Sequence, residues 1–398
     1  MRDKLEREIE EALAALVARD AIAVPPYPAV ALKLGNLLRT EGYGVPDVVK
    51  LVAADATLSA DLLRCANSSV NARAVEVRSL TQAVSRLGAK EVLRVAVAAT
   101  LAKNAQTAGP LETVKRSAWQ CGVASAVLCD ELAALRGLPR EDAFVCGLLH
   151  DYGSLIALSG LEEILAEMPE AAARPPAAWV ALIARVHVKL GLLLATKWRL
   201  PKVFQDAIAL HHDDPAAWAG PHAALVDVVA TSDAIVRSMV VRSSVDEAAL
   251  ESVPGLSPHE RARITARIPE IPTIIASFEQ SASPRASAPR ASTSPVALLP
   301  EGFRRLDLGV RQLQPRKHEY TMCAIAEDGW VMTGKDAIPE SSLVQLALAC
   351  EPEPITLWAH ATRCALAAEG GVSVTCKPFA VSGAVSARLS ALLRSAAA

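Results

Sequence analysis

The chain has 398 residues, with 41 Lys plus Arg against 43 Asp plus Glu (net charge −2), 52% hydrophobic residues and only 4% aromatic ones. Such a balance excludes a mostly disordered chain and requires a core of Ala, Val and Leu. Without a basic excess, nucleic acid and anionic membrane surfaces are not expected partners.

The start, Met1 to Glu11, carries both charge signs and reads as a helix rather than a signal peptide. Helical spacing of apolar residues follows at Val48, Val49, Leu51 and Val52, at Leu58, Leu62 and Leu63, and from Val84 to Val97. Further helices are predicted at Ala118–Leu135, Glu141–Leu149, Ala177–Trp198 and Lys202–His211, separated by Pro and Gly punctuation such as Gly137 to Pro139. Residues 281–296, rich in Ser, Ala, Pro and Arg, have nothing large to bury and read as a linker. The expected domains are thus 1–280, all-α with a core at about 20–235, and 297–398 beyond the linker.

After the linker the period changes. Short β-branched or alternating runs at Tyr320–Ala326, Trp330–Gly334, Leu343–Ala349, Ile355–Ala367 and Val372–Phe379 predict about five strands, closed by a helix at Ala384–Ser395. This suggests a small β-barrel or curled sheet. The stretch ahead of Tyr320 looks too short to complete a barrel. The eight cysteines form no CxxC pair and read as small buried hydrophobes of a reducing, cytoplasmic setting. The most apolar runs are far shorter than the roughly 20 residues of a membrane-spanning helix, so no membrane insertion is expected.

One constellation carries chemistry. His150 and Asp151 stand side by side after an apolar helix, with His187, His211, His212 and Asp233 further on. Imidazole nitrogen and carboxylate oxygen together suit Fe, Mn, Zn or Mg, and such a cation can activate water. A His-Asp doublet taken alone serves equally well as a helix cap with core hydrogen bonds. His187 reads as a satisfied helix histidine, Trp119 and Trp198 as packing anchors, and Asn67-Ser68 as a turn and cap.

The run from Asp55 through Leu58, Leu62-Leu63-Arg64, Ala66 and Asn67-Ser68 resembles the "DPaLtakLLrlaNSa" signature of HDOD domains. Arg78 to Gly88, Pro25 to Pro28, Gly147 to Gly153, His187 to Gly191, Trp198 to Pro201 and Ala207 to His212 fit the same family in order. The resemblance implies a helical relative of the HD and HD-GYP phosphohydrolases that has lost catalysis. Cys121 stands where the active relatives place a histidine, Ser154 replaces a lysine, and no Gly-Tyr-Pro loop follows His212. No cofactor is expected, and the six His and Asp positions are residual.

The strand order beyond the linker looks like a PilZ domain, a barrel that senses cyclic di-GMP in many bacterial proteins. Its Arg-x-x-x-Arg arm is missing among Arg304, Arg305, Arg311, Arg316 and Lys317. Of its "[DN]xSxxG" motif only Gly329 survives, with Ala324 and Ala326 at the polar positions. Arg311, Arg316 and Gly329 are the nucleotide-binding candidates; the alternative reading of the basic residues is a solvated surface. The expectation is a non-catalytic bacterial signalling or scaffold protein whose HDOD module binds partner proteins. A cyclic di-GMP effector and a metal-dependent phosphohydrolase are the alternatives.

Overall fold

A computed structural model describes residues 4–19, 29–38, 40–67, 77–105, 107, 109–168, 171, 179–215, 218–241, 250–282, 292–296, 304–314, 317–326, 329–338, 343–350, 353–367, 371–379 and 383–395. The chain divides into two compact units, Met1–Asp233 with Thr273–Pro284, and Ala234–Pro272 with Arg285–Ala398.

The first unit is helical: α1 (Lys4–Ala18), α2 (Ala29–Leu37), α3 (Val45–Ala53), α4 (Ala56–Ala66), α5 (Leu80–Leu87), α6 (Ala89–Ala105), α7 (Glu112–Leu135), α8 (Arg140–Leu149), α9 (Tyr152–Glu167), α10 (Val180–Lys197), α11 (Lys202–Leu210) and the first half of α12 (Ala223–Val241). The helices α13 (Pro258–Arg267) and α14 (Ile271–Ala282) follow. Local chemistry sets the boundaries. Asp55 caps α4 by accepting from the amides of Thr57 and Leu58, and Ser79 caps α5 by accepting from Gln82. Asn67 ends α4 as expected: its amide donates to Leu63 O (3.0 Å) and Val77 O (2.9 Å), while its oxygen accepts from Val77 N (2.8 Å).

The long helix α7 is the axis of this unit, with Trp119, Val123, Leu128 and Leu132 buried along it. Two glycines let other helices approach closely. A Cβ on Gly147 of α8 would fall 2.8 Å from Ala126 Cα and 2.9 Å from Ser125 O of α7. A Cβ on Gly153 of α9 would fall 1.9 Å from His187 O of α10, so only glycine fits that crossing. A buried ion pair adds a further tie. The Lys115 ammonium of α7 sits 2.6 Å from Glu162 of α9, which also accepts from Leu111 N.

Among the described residues one stretch, Arg140–Glu167, is long and apolar enough to cross a bilayer. It is α8 and α9 taken together, and most of it is buried inside the protein.

The second unit contains a closed barrel. Strands β2 (Arg304–Gln314), β3 (His318–Ala326), β4 (Gly329–Gly334), β5 (Leu343–Leu348), β6 (Ile355–Ala367) and β7 (Val372–Phe379) run in the order β6-β5-β2-β3-β4-β7, and β6 pairs with β7 to complete the ring. Outside it, β1 (Ser292–Val296) lies parallel to β6. The predicted linker is therefore strand at its end and closes α14 at Ser281 and Ala282, while residues 283–291 lie outside the described residues.

The segment ahead of Tyr320 corrects the sequence reading. It is β2, an 11-residue strand antiparallel to both β3 and β5, and it supplies the two pairings that join those strands within the ring. Val310, Tyr320, Met322, Trp330, Met332, Leu346, Leu357 and Val374 fill the interior. The last helix, α15 (Gly383–Ser395), lays Val385, Leu389, Leu392 and Leu393 against that core at helical spacing.

Candidate functional site

The helical unit brings together all six His and Asp residues singled out in the sequence. His150 ends α8, Asp151 precedes α9, His187 lies in α10, His211 and His212 follow α11, and Asp233 lies in α12. Asp151 occupies the N-cap position of α9 yet makes no side-chain cap bond, unlike Asp55 on α4. The cap reading of the doublet therefore fails. The carboxylate instead meets imidazoles, with Oδ1 3.1 Å from His187 Nε2 and 3.4 Å from His211 Nε2, and Oδ2 3.8 Å from His150 Nε2. Asp233 stands on the other side, 3.8 Å from His150 Nε2 and 3.9 Å from His212 Nδ1.

Three of the rings share one orientation. Nδ1 of His150 donates to Gly147 O at 2.8 Å, that of His187 to Ala184 O at 2.8 Å, and that of His211 to Ile208 O at 2.9 Å. A carbonyl only accepts, so each bond fixes the Nδ1 proton and turns Nε2 toward the carboxylates, as in second-shell support of metal-binding histidines. His187 is thus satisfied on its own helix, as expected, and is also part of the cluster.

The Nε2 atoms of His150 and His211 are buried without a hydrogen-bond partner. Candidate ligand atoms of Asp151, His187, His211 and His212 lie within 4.8 Å of one another, as do those of His150, Asp151 and Asp233, with Asp151 common to both groups. Unpartnered buried nitrogens beside carboxylates are a donor set that a borderline or hard divalent cation satisfies, although no cofactor was expected at these residual positions.

Electrostatics tie the cluster together. Burial alone would lower the pKa of His150, but the charge of Asp151 and then Asp233 lifts it to about 9. Burial would raise Asp151, yet the charge of His150, then the His187 and His211 imidazoles beside it, hold it well below the usual carboxylate range. His212 is pushed down to about 4 by burial and by His211. Cys121, half-buried on α7, has its thiol pushed up to about 12 by burial and by Asp151 and Asp233. It keeps its proton at neutral pH when no cation is present.

The barrel candidates scatter. Arg311 is exposed on β2 opposite Glu319 and lines a cleft of about 820 Å³ with Thr321, Thr333 and Lys335. Gly329 is buried where β4 begins, and a Cβ there would fall 2.3 Å from Cys376 O, so strand packing accounts for the glycine. Arg316 lies outside the described residues. Trp119 and Trp198 are buried, as packing anchors should be. Sequence reasoning missed the Lys115–Glu162 pair, because two charges 47 positions apart leave no local pattern.

The HDOD domain family model matches residues 24–214. Among solved structures, the chain is similar to an HDOD domain protein of Geobacter sulfurreducens, at 24% identity and a TM-score of 0.52, covering 69% of this chain and 99% of that one. It is also similar to a signal transduction candidate of Marinobacter aquaeolei VT8, at 21% identity and a TM-score of 0.51, covering 70% of this chain and 66% of that one. An uncharacterized protein of Treponema pallidum (strain Nichols) is 26% identical over 214 residues, 52% of this chain, and the match spans 40% of that relative's length. The signature around Asn67, the helical architecture and these matches agree: residues 24–214 form an HDOD domain.

Proposed function

We propose that the chain is a signalling protein that works by binding partner proteins, and that its HDOD module holds a divalent cation in the His/Asp cluster without turning over a substrate. Burial carries this reading. The side chains of His150, His187, His211 and Asp233 are at most 6% exposed, and only Asp151 and His212, at 36%, reach the surface. Structural metal sites are closed in this way, whereas catalytic ones keep an open position for water and substrate. His150, Asp151, His187, His211, His212 and Asp233 would hold the cation, which would supply cross-linking of α8, α9, α10, α11 and α12 and, in an open site, activation of water. The Marinobacter protein of the same fold bears a signal transduction name, in keeping with such a role.

The test is thermal unfolding of the chelator-treated full chain with Zn²⁺ or Mn²⁺ added back, together with capture of partners in both states. Saturating cation should stabilise the fold by about 3 kcal/mol at a hundredfold excess over Kd. Partner capture should depend on its presence. An unchanged Tm with every cation would refute the cation site.

A second reading, a metal-dependent phosphohydrolase, is favoured by the three rings that aim Nε2 inward; cation-dependent phosphodiester turnover would establish it. For the barrel, we propose a PilZ-like role in docking or regulation. Cyclic di-GMP is the alternative ligand, because Arg311 is exposed beside a cleft of adequate size. Saturable binding of cyclic di-GMP that weakens tenfold or more in Arg311→Ala would support that alternative, and equal affinity in the variant would exclude Arg311 from it.

A further inference from the structure

Strand β6 outruns one of its neighbours. β7 follows it from Trp358 to Leu366, whereas the pairing with β5 covers Ile355 to His360 and stops there. The rest of that second edge is met by β1: Ala365 pairs with Ser373 of β7 on one side and with Ser292 of β1 on the other. Three features make β1 a weak occupant. It is the one parallel neighbour among the described pairings, and parallel ladders are the less stable kind. It meets β6 at two positions only, Ser292 with Ala365 and Val296 with Ala367, and the register slips between them. Pro295 lies inside it and has no N–H to give. The outer face beside this edge is basic. Cys364 belongs to the barrel core, so Arg363 and Ala365 on either side of it face outward. Arg363 is exposed, and Ala365 is buried with β1 paired beside it. On β7, Thr375 stands opposite Arg363, and Lys377 is exposed two residues further on.

We infer that this edge of β6 is a docking site for an extended acidic segment of a partner protein, which displaces β1 and adds to the barrel as an antiparallel strand. The inference rests on the docking role proposed above for the barrel and gives it a place. Backbone bonds to the strand edge supply affinity, and side chains at alternate positions supply selectivity. In the added strand a Glu or Asp falls opposite Arg363, and a β-branched residue two positions along covers the small Ala365. The exchange leaves the edge paired throughout, so no open strand is presented to other chains.

The probe is a fluorescent octapeptide, Thr-Glu-Thr-Val written twice, offered to the full chain beside a counterpart with Lys in place of each Glu. The acidic peptide should bind saturably and at least tenfold tighter than the basic one. Arg363→Glu, a change at an exposed position, should reverse that order. In the wild-type chain, hydrogen exchange should show the amides of Ser292 to Ser294 losing protection as the acidic peptide saturates, while those of β6 keep theirs; this readout needs no variant to fold. Binding that leaves β1 protected, or equal affinity for the two peptides, would overturn this edge as the site while leaving the docking role of the barrel in place. Binding of neither peptide would overturn both.

Discussion

Two histidines in this chain are shifted in opposite directions from the ordinary imidazole value, and each leaves its own mark on stability. His150 is lifted to about 9 because Asp151 and Asp233 outweigh the burial that would lower it. The folded protein then holds a proton that the unfolded chain releases near pH 6.5. The stabilisation from this proton is complete below pH 6.5 and is lost as pH rises through about 9. In the cation-free protein Tm should fall across that window, and His150→Gln should flatten the fall. His360 on β6 goes the other way, lowered to about 4 by burial, with its ring 4.6 Å from that of Phe379. Here the unfolded chain takes up the proton first, so barrel stability should drop between pH 6.5 and 4. After allowance for solvent at this half-buried ring, the loss is on the order of 2 kcal/mol. Hydrogen exchange of the β6 amides checks this, with His360→Phe removing the acid sensitivity. Lys115 tests a third kind of residue, a buried charge with one anionic partner in Glu162. Glu162→Ala strands the ammonium and should cost about 3 kcal/mol in denaturant unfolding, far more than an exposed pair such as Lys202–Asp206.

At the scale of elements, the site is a product of helix crossings. Gly147 seats α8 on α7, and Gly153 seats α9 on α10, so that His150 and Asp151, between the two glycines, are carried onto His187 and His211. Gly153→Ala would drive a methyl group into the His187 carbonyl, and the helices must separate to admit it. Destabilisation of about 3 kcal/mol is expected, with cation affinity falling at least tenfold, whereas Gly35→Ala, where a Cβ meets nothing within 4 Å, should leave affinity unchanged. Chelator-controlled titrations of both variants decide it; equal affinity in the two would show that the crossing does not position the cluster. In the barrel, β3 through β7 were readable because their apolar residues alternate or run together. β2 was not, although Leu308 and Val310 do alternate, because the buried Gln312 interrupts their apolar face and three arginines and an aspartate stand in the same stretch of sequence. A polar residue facing into a barrel is invisible to a hydrophobic pattern; Gln312 finds its place beside the Tyr320 hydroxyl, 3.3 Å away.

For the whole molecule, the helical fold and the six cluster residues could be read from the chain because family-like motifs and imidazole–carboxylate chemistry both leave local marks. Their convergence could not, since it depends on backbone contacts between residues 34 positions apart, as with Gly153 and His187. Nor could the burial of four of the six side chains, on which the proposal of a cation-holding signalling module rather than a hydrolase rests. That distinction is the central claim, and one measurement addresses it most directly: hydrolysis of cyclic di-GMP and of a generic phosphodiester by the full chain, with cation occupancy confirmed on the same sample. The closed cluster predicts no turnover above the cation in buffer at full occupancy. Turnover that follows occupancy and disappears in His150→Ala would contradict it.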